Sequence, residues 1–159
     1  MIKVIDNFVD NENFIKLKHL VKTLPWFYND YKVSLNDGNY QLTHIFYEDY
    51  KPNSDFLVDL NPITKKLNMR AVVRIKANLT FKDESIKQYE MHKDFDDCLS
   101  EQKTAIYYLN TNNGKTIFEN GEEIMSKENR IVIFSGNLKH TGTTHTDTKY
   151  RALINFNYY

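Results

Sequence analysis

Four residues could build a reaction centre: His92 and Asp94 in the run Met91-His92-Lys93-Asp94, His140 further on, and Arg151 opening the last apolar segment. Two imidazoles and one carboxylate can hold one face of an iron(II) ion and leave its other positions open. A nearby arginine supplies a fixed planar cation suited to a carboxylate-bearing co-substrate. Such a set points to oxidation at a ferrous centre, with the metal rather than a side-chain nucleophile doing the chemistry.

Spacing alone does not establish the set. With five histidines and twelve aspartates in 159 residues, chance supplies roughly 0.4 His-x-Asp triplets. On that basis His92 reads equally well as a loop histidine and Asp94 as a turn residue. Geometry adds weight, because residues i and i+2 of an extended segment point to one side, so both side chains can face one interior. The third ligand must come from a distant strand. His140 follows the apolar run 131–134, whereas His145 lies five residues later in the same polar stretch. His140 is preferred because it is nearer the strand end, and His19 and His44 are read as structural.

Arg151 is one of only four arginines, with Arg70, Arg74 and Arg130. Alternation across 150–158 places Ala152, Ile154 and Phe156 on one face and Arg151, Leu153 and Asn155 on the other. A buried guanidinium without an anion is costly. Either a carboxylate of the protein pairs with it, or the site takes an anionic ligand. Tyr108 shares a strand face with Thr104 and Ile106, where its hydroxyl could reach the same carboxylate or the ring could simply pack.

The elements that must position these residues divide into a helical part, about 1–68, and a β-rich part, about 69–159. Residues 2–9 alternate as a strand. Asp10 then caps a helix whose stripe is Phe14, Ile15, Leu17, Leu20, Val21 and Leu24, ended by Pro25, with Asn13 replacing Glu at the capping-box position. Strands are expected at 31–35 and 41–48, and a second helix at about 54–67 with Phe56, Leu57, Leu60, Ile63 and Leu67 inward. Further strands are expected at 70–80, 87–92, 103–110, 115–118, 122–125, 130–135 and 150–158. Turn signals occur at Asn112-Asn113-Gly114 and Asn120-Gly121. Many short antiparallel strands with flanking helices predict a mainly β fold: a double-stranded β-helix, or jelly-roll barrel, backed by N-terminal helices.

Length predicts one domain over 1–159. The single Cys98 allows no internal disulfide and reads as a small structural or loop residue in a reducing compartment. No apolar run approaches a membrane span and the N-terminus has no signal-peptide pattern, so a soluble cytoplasmic protein is expected. Zero net charge without a basic tract disfavours nucleic acid as a partner.

These residues in this order resemble the iron(II)/2-oxoglutarate-dependent oxygenases of the prolyl-hydroxylase-like group. The likeness runs from 4–8 and the following helix through His92-Lys93-Asp94, the segment 106–110, Gly114, Thr116, Phe118 and Gly121. It continues through 129–134 and 140–142 to 151–156. As a set these pieces are specific, although no single one is. The resemblance implies His92, Asp94 and His140 as Fe(II) ligands and Arg151, assisted by Tyr108, as the holder of the distal carboxylate of 2-oxoglutarate. It also implies Tyr89 near the active site, Asn155 at the back of the pocket and Asn78 in contact with co-substrate or substrate.

The implied reaction is dioxygenation: hydroxylation of an amino-acid side chain, prolyl favoured, with succinate and carbon dioxide released. The substrate would be a small molecule or peptide, met by loops at 34–40 and 82–87. His140 and Arg151 stand 11 apart, slightly longer than in similar members, so a bulge is expected at 142–149. The extra modules of larger collagen-type enzymes are not seen, which argues against a large folded protein substrate. Asp94 in place of alanine or glycine argues against a halogenase. Rivals are an inactive jelly-roll or cupin-like metal binder, a structural β-sandwich whose polar network holds these residues, and a nucleobase demethylase of the same class.

Overall fold

Side chains that alternate along the strands divide this protein into an apolar layer under helices and a polar interior that becomes the site. The computed structural model describes residues 1–35, 37–95 and 101–159, so Cys98 lies outside the described residues. In chain order the elements are β1 (Lys3–Ile5), α1 (Asn11–Thr23), β2 (Phe27–Asn29), β3 (Gln41–Glu48) and β4 (Lys51–Pro52). A 3-10 helix (Asp55–Leu60), α2 (Asn61–Leu67), β5 (Val72–Phe81) and β6 (Lys103–Tyr108) follow. The chain ends with β7 (Lys115–Phe118), β8 (Glu123–Met125), β9 (Arg130–Ser135), β10 (His140–Gly142) and β11 (Tyr150–Tyr158).

Two antiparallel sheets face each other in a jelly roll. The larger has the order β1-β9-β6-β11-β5-β3-β2, with β4 paired to β3, and the smaller has the order β10-β7-β8. Ala152, Ile154 and Phe156 of β11, Ile75, Ala77 and Leu79 of β5 and Tyr107 of β6 form one core with Phe14, Leu17 and Leu20 of α1, its C-cap Leu24, and Ile63 of α2. The opposite face contributes Ile106, Tyr108, Val132, Phe134 and Leu153 to a second apolar cluster, with Phe118 from the smaller sheet. On β5 and β11 that interior face is otherwise polar, and a cleft opens there.

Several expectations are corrected. Segment 31–35 is not a strand; the pairing strand is β2, earlier in the chain. The Asp37 carboxylate accepts the backbone N–H groups of Lys32 (3.0 Å), Val33 (2.9 Å) and Asn39 (2.8 Å), which ties this segment into a side-chain-supported loop instead of a ladder. Segment 87–92 makes only isolated bridges, Gln88 to Thr143 and His92 to His140. The second helix breaks into two pieces because Pro62 begins a new helix at its first turn and offers no N–H to continue the 3-10 segment. Strand β1 is shorter than 2–9, with Asn7 at φ 50° after its end. Ile15 lies outside the apolar stripe, 60% exposed. The cap of α1 is more complete than Asn13 suggested: Asp10 accepts both the Asn13 backbone N–H (2.9 Å) and its side-chain amide (2.6 Å).

Asn129 fastens the N-terminal segment to the barrel. At φ 57° it is held left-handed, its carboxamide bonds the N–H and carbonyl of Val9 (3.0 and 2.9 Å), and its Oδ1 also accepts the Tyr107 hydroxyl (2.9 Å). Asn129→Ala would strand those buried groups, so a loss of about 2–4 kcal/mol is expected in urea denaturation.

Candidate active site

The structure gathers His92, Asp94 and His140 into one cluster whose candidate ligand atoms all lie within 4.8 Å of one another. Backbone pairing brings the two histidines together. His92 N–H donates to the His140 carbonyl (3.0 Å), His140 N–H returns the bond (2.9 Å), and the ring centroids are 4.9 Å apart. Tyr89 N–H to the Gly142 carbonyl (3.1 Å) continues the same pairing, so 88–92 borders β10 as an irregular extra edge. His140 therefore sits on a short strand of the smaller sheet, not in a loop. Its ring packs edge-on against Phe134 at 4.8 Å.

Each imidazole Nδ1 faces a backbone carbonyl, Glu90 at 3.1 Å for His92 and Leu138 at 3.4 Å for His140. Nε2 of each ring is thereby left free to ligate an ion, with the tautomer set by the partner of the other ring nitrogen. Burial pulls the pKa of His140 below its ordinary 6.5, opposed by Asp94 and reinforced by His92, which keeps the ring neutral and able to ligate. Burial of Asp94 opposes its ionisation, but His140, Arg74, the Asn157 amide and His92 outweigh it and hold the carboxyl below its usual range. One Asp94 oxygen accepts Asn157 Nδ2 (2.8 Å) and Thr104 Oγ1 (3.2 Å), and the other faces Arg74 Nη2 at 3.2 Å. His145, fully buried, lies outside this cluster.

Arg151 enters the same cleft from β11, 5% exposed. Its Nε donates to Ser126 Oγ (2.8 Å), and Nη2 reaches the Lys115 carbonyl (3.3 Å) and Thr116 Oγ1 (3.5 Å). Among the described residues no carboxylate lies within ion-pair distance of it. The Tyr108 ring stands 5.8 Å from the guanidinium carbon, and the Tyr108 hydroxyl is engaged with Thr116 Oγ1 at 2.7 Å. Tyr108 thus supports the wall from behind, and Thr116 is the group that lines it. Gly114 is a glycine for a steric reason: a Cβ there would sit 2.8 Å from Arg151 Cδ.

The cleft measures about 310 Å³, and Tyr89, Asn78 and Asn155 line it with the three cluster residues and Arg151. Burial pushes the Tyr89 phenol up to about 12, so it stays protonated. Sequence reasoning missed Arg74, Lys76, Thr80 and Lys32, all lining residues. The signal for the first three was present in β5, where Arg74, Lys76, Asn78 and Thr80 alternate with Ile75, Ala77 and Leu79. Lys32 gave none, since its segment is irregular; its ammonium hydrogen-bonds the Tyr89 hydroxyl.

No family model matches the sequence, and no curated protein matches it. Solved structures do. The chain superposes over 99% of its length on an oxidoreductase of the 2OG-Fe(II) oxygenase family from Burkholderia pseudomallei, with a TM-score of 0.72, 13% identity and 84% of that chain covered. The fold is that of the 2OG-Fe(II) oxygenases. A Trichoplax adhaerens prolyl hydroxylase, solved with a hypoxia inducible factor peptide fragment, matches at TM-score 0.67 and 13% identity, over 99% of this chain and 83% of that one. A non-heme alpha-ketoglutarate-dependent epimerase from nogalamycin biosynthesis matches at TM-score 0.70 and 11% identity, over 99% and 77%.

Metal titration followed by calorimetry under argon tests the cluster. His92→Ala and His140→Ala are expected to lose tight Fe(II) binding, whereas His145→Ala keeps it within a few-fold. Protons compete with metal for imidazole, so affinity falls as pH drops. Because burial lowers the pKa of His140, the loss at that ligand should set in below pH 6.5.

Proposed function

We propose that this chain is a single-domain, soluble, cytoplasmic iron(II)- and 2-oxoglutarate-dependent dioxygenase. It hydroxylates an amino-acid side chain, free or peptide-borne, with proline favoured. One observation carries the reading: a buried guanidinium without an acidic partner shares a cleft with a two-histidine, one-carboxylate cluster. A structural ion pair would satisfy Arg151 within the protein, and none of the described carboxylates does so. The residue preference rests on the likeness to the Trichoplax prolyl hydroxylase and is the finer part of the proposal.

The residues present fit both groups. His92, Asp94 and His140 would hold iron on one face and leave the cleft side open. Arg151 would take the distal carboxylate of 2-oxoglutarate in a charge-assisted pair. Thr80, its register partner on β5, carries a buried hydroxyl with no hydrogen-bond partner and would add a donor. When bound, iron(II) with 2-oxoglutarate and oxygen supplies the oxidising power and yields succinate and carbon dioxide.

The chain's own work is positioning. Ser126, Thr116 and the Lys115 carbonyl aim the Arg151 guanidinium, with Tyr108 behind Thr116, and Gly114 leaves room for its stem. Asn157 and Thr104 hold one Asp94 oxygen and Arg74 Nη2 the other, which fixes the carboxylate plane within the cluster. Leu153 and Ile106 line the cleft with apolar surface that discourages water. Asn78 and Asn155 present buried, unpaired amide oxygens inside it. These are acceptors for co-substrate, substrate or bound water.

Anaerobic absorption spectroscopy tests the assignment. Fe(II) plus 2-oxoglutarate should give a weak visible charge-transfer band that His92→Ala and His140→Ala abolish. Arg151→Ala should weaken 2-oxoglutarate roughly tenfold to a hundredfold while metal still binds. Equal affinity in that variant would defeat the proposal. Gly114→Ala, which crowds the Arg151 stem, should likewise weaken 2-oxoglutarate and spare Fe(II) affinity in the same titration.

A further inference from the structure

The chain carries no net charge, yet its cleft is strongly cationic. Among the described residues, Lys32, Arg74, Lys76, Lys93 and Arg151 line it against one carboxylate, Asp94. That is an excess of four positive charges. Iron(II) and 2-oxoglutarate carry equal and opposite charge, so loading both leaves the excess in place.

The cations fall into two groups. Arg151 and Thr80 are register partners at one end of the β5–β11 pair, and Lys32 is close enough to feel the charge of Arg151. Arg74 and Lys76 stand at the other end, opposite Asn157 and Asn155, next to Asp94. Lys76 and Thr80 are four residues apart on an extended strand, roughly 13 Å. A five-carbon diacid held by Arg151 therefore leaves the second group with a single described ion pair, Arg74 to Asp94.

That second group is incompletely satisfied by the protein. The Lys76 ammonium makes no hydrogen bond or ion pair among the described residues, although Asp94 and Glu48 act on it from farther off. Arg74 spends one terminal nitrogen on Asp94, its carbon lies over the Phe95 ring at 4.7 Å, and its buried Nε–H has no partner. The half-buried Lys76 ammonium faces the cleft, and the buried orphan guanidinium N–H of Arg74 costs free energy unless a ligand answers it.

We propose that the substrate carries an anionic group, a carboxylate or a phosphate, received by Lys76 and the Nε edge of Arg74 beside the iron site. The inference rests on the proposed dioxygenase reading and refines it. A free amino acid or another small acid fits, whereas an internal prolyl residue has lost its α-carboxylate to the peptide bond and offers no such charge. Substrate and co-substrate are then both anions held from opposite ends of one cleft, each by its own cation.

Calorimetry under argon on protein loaded with Fe(II) and saturating 2-oxoglutarate provides the test, with acetate and inorganic phosphate as probes. The loading step stands alone: if Fe(II) or 2-oxoglutarate does not bind, the dioxygenase reading falls before any probe is added. With loading achieved, at least one probe should bind, and the tighter one distinguishes a carboxylate from a phosphate ligand. Lys76→Gln should weaken that binding tenfold or more and Lys76→Arg should restore most of it. Wild-type protein should bind acetate or phosphate but not acetamide, a comparison that needs no variant. Binding of neither anion, acetamide binding as well as acetate, or an unchanged affinity in Lys76→Gln would overturn the inference.

Discussion

A buried positive charge with no negative partner is tolerated only where the folded chain holds it by other means and a ligand completes it. Arg151 is in that condition, and much of the surrounding architecture serves it. Neutral acceptors hold one edge of the guanidinium without cancelling its charge. A neutral acceptor orients the fork, whereas an internal carboxylate would fill it. This choice separates a binding site from a structural ion pair, and under the proposed function it would make a jelly-roll interior selective for anions.

The same logic explains why the two faces of β5 and β11 differ so sharply. Their outward side chains are aliphatic and aromatic and are covered by α1 and α2. Their inward side chains are arginine, lysine, asparagine and threonine, several with orphan polar atoms. Apolar burial beneath the helices stabilises the sheet strongly enough to carry an unsatisfied polar wall on its other side. Stability and site occupy opposite surfaces of one sheet, so substitutions in the cleft need not disturb the main core.

Much of this was legible in the sequence where strands have strong period-two patterns. Segment 150–158 announced its faces, and β11 matches it. Strands at 41–48, 115–118 and 130–135 coincide with β3, β7 and β9, short runs rich in β-branched and aromatic residues. The segments that defeated the reading are those whose order comes from side-chain-to-backbone bonds or distant partners. Asp37 gathers three backbone N–H groups and removes 31–35 from the sheet. Residues 88–92 find their place only against β10, some fifty residues on. Lys76 is a lysine in a strand, and only its alternation with Ile75 and Ala77 shows that its face is interior. Gly114 looked like a turn glycine, and the atoms a Cβ there would strike, 2.8 Å away, belong to its neighbour Asn112 and to Arg151 of β11.

The bridge between His92 and His140 has a mechanical consequence. Segment 88–92 is joined to β10 by a few backbone bonds rather than by a full ladder. An ion gripping both imidazoles would act as a rivet across that seam, closing a loop of 48 residues much as a covalent cross-link does. Binding energy at the ion would then also secure the barrel mouth, because a ligand that favours the closed form stabilises it by mass action. The catalytic ion would be part of the framework as well as of the chemistry, and removing it would loosen the rim through which substrate must pass.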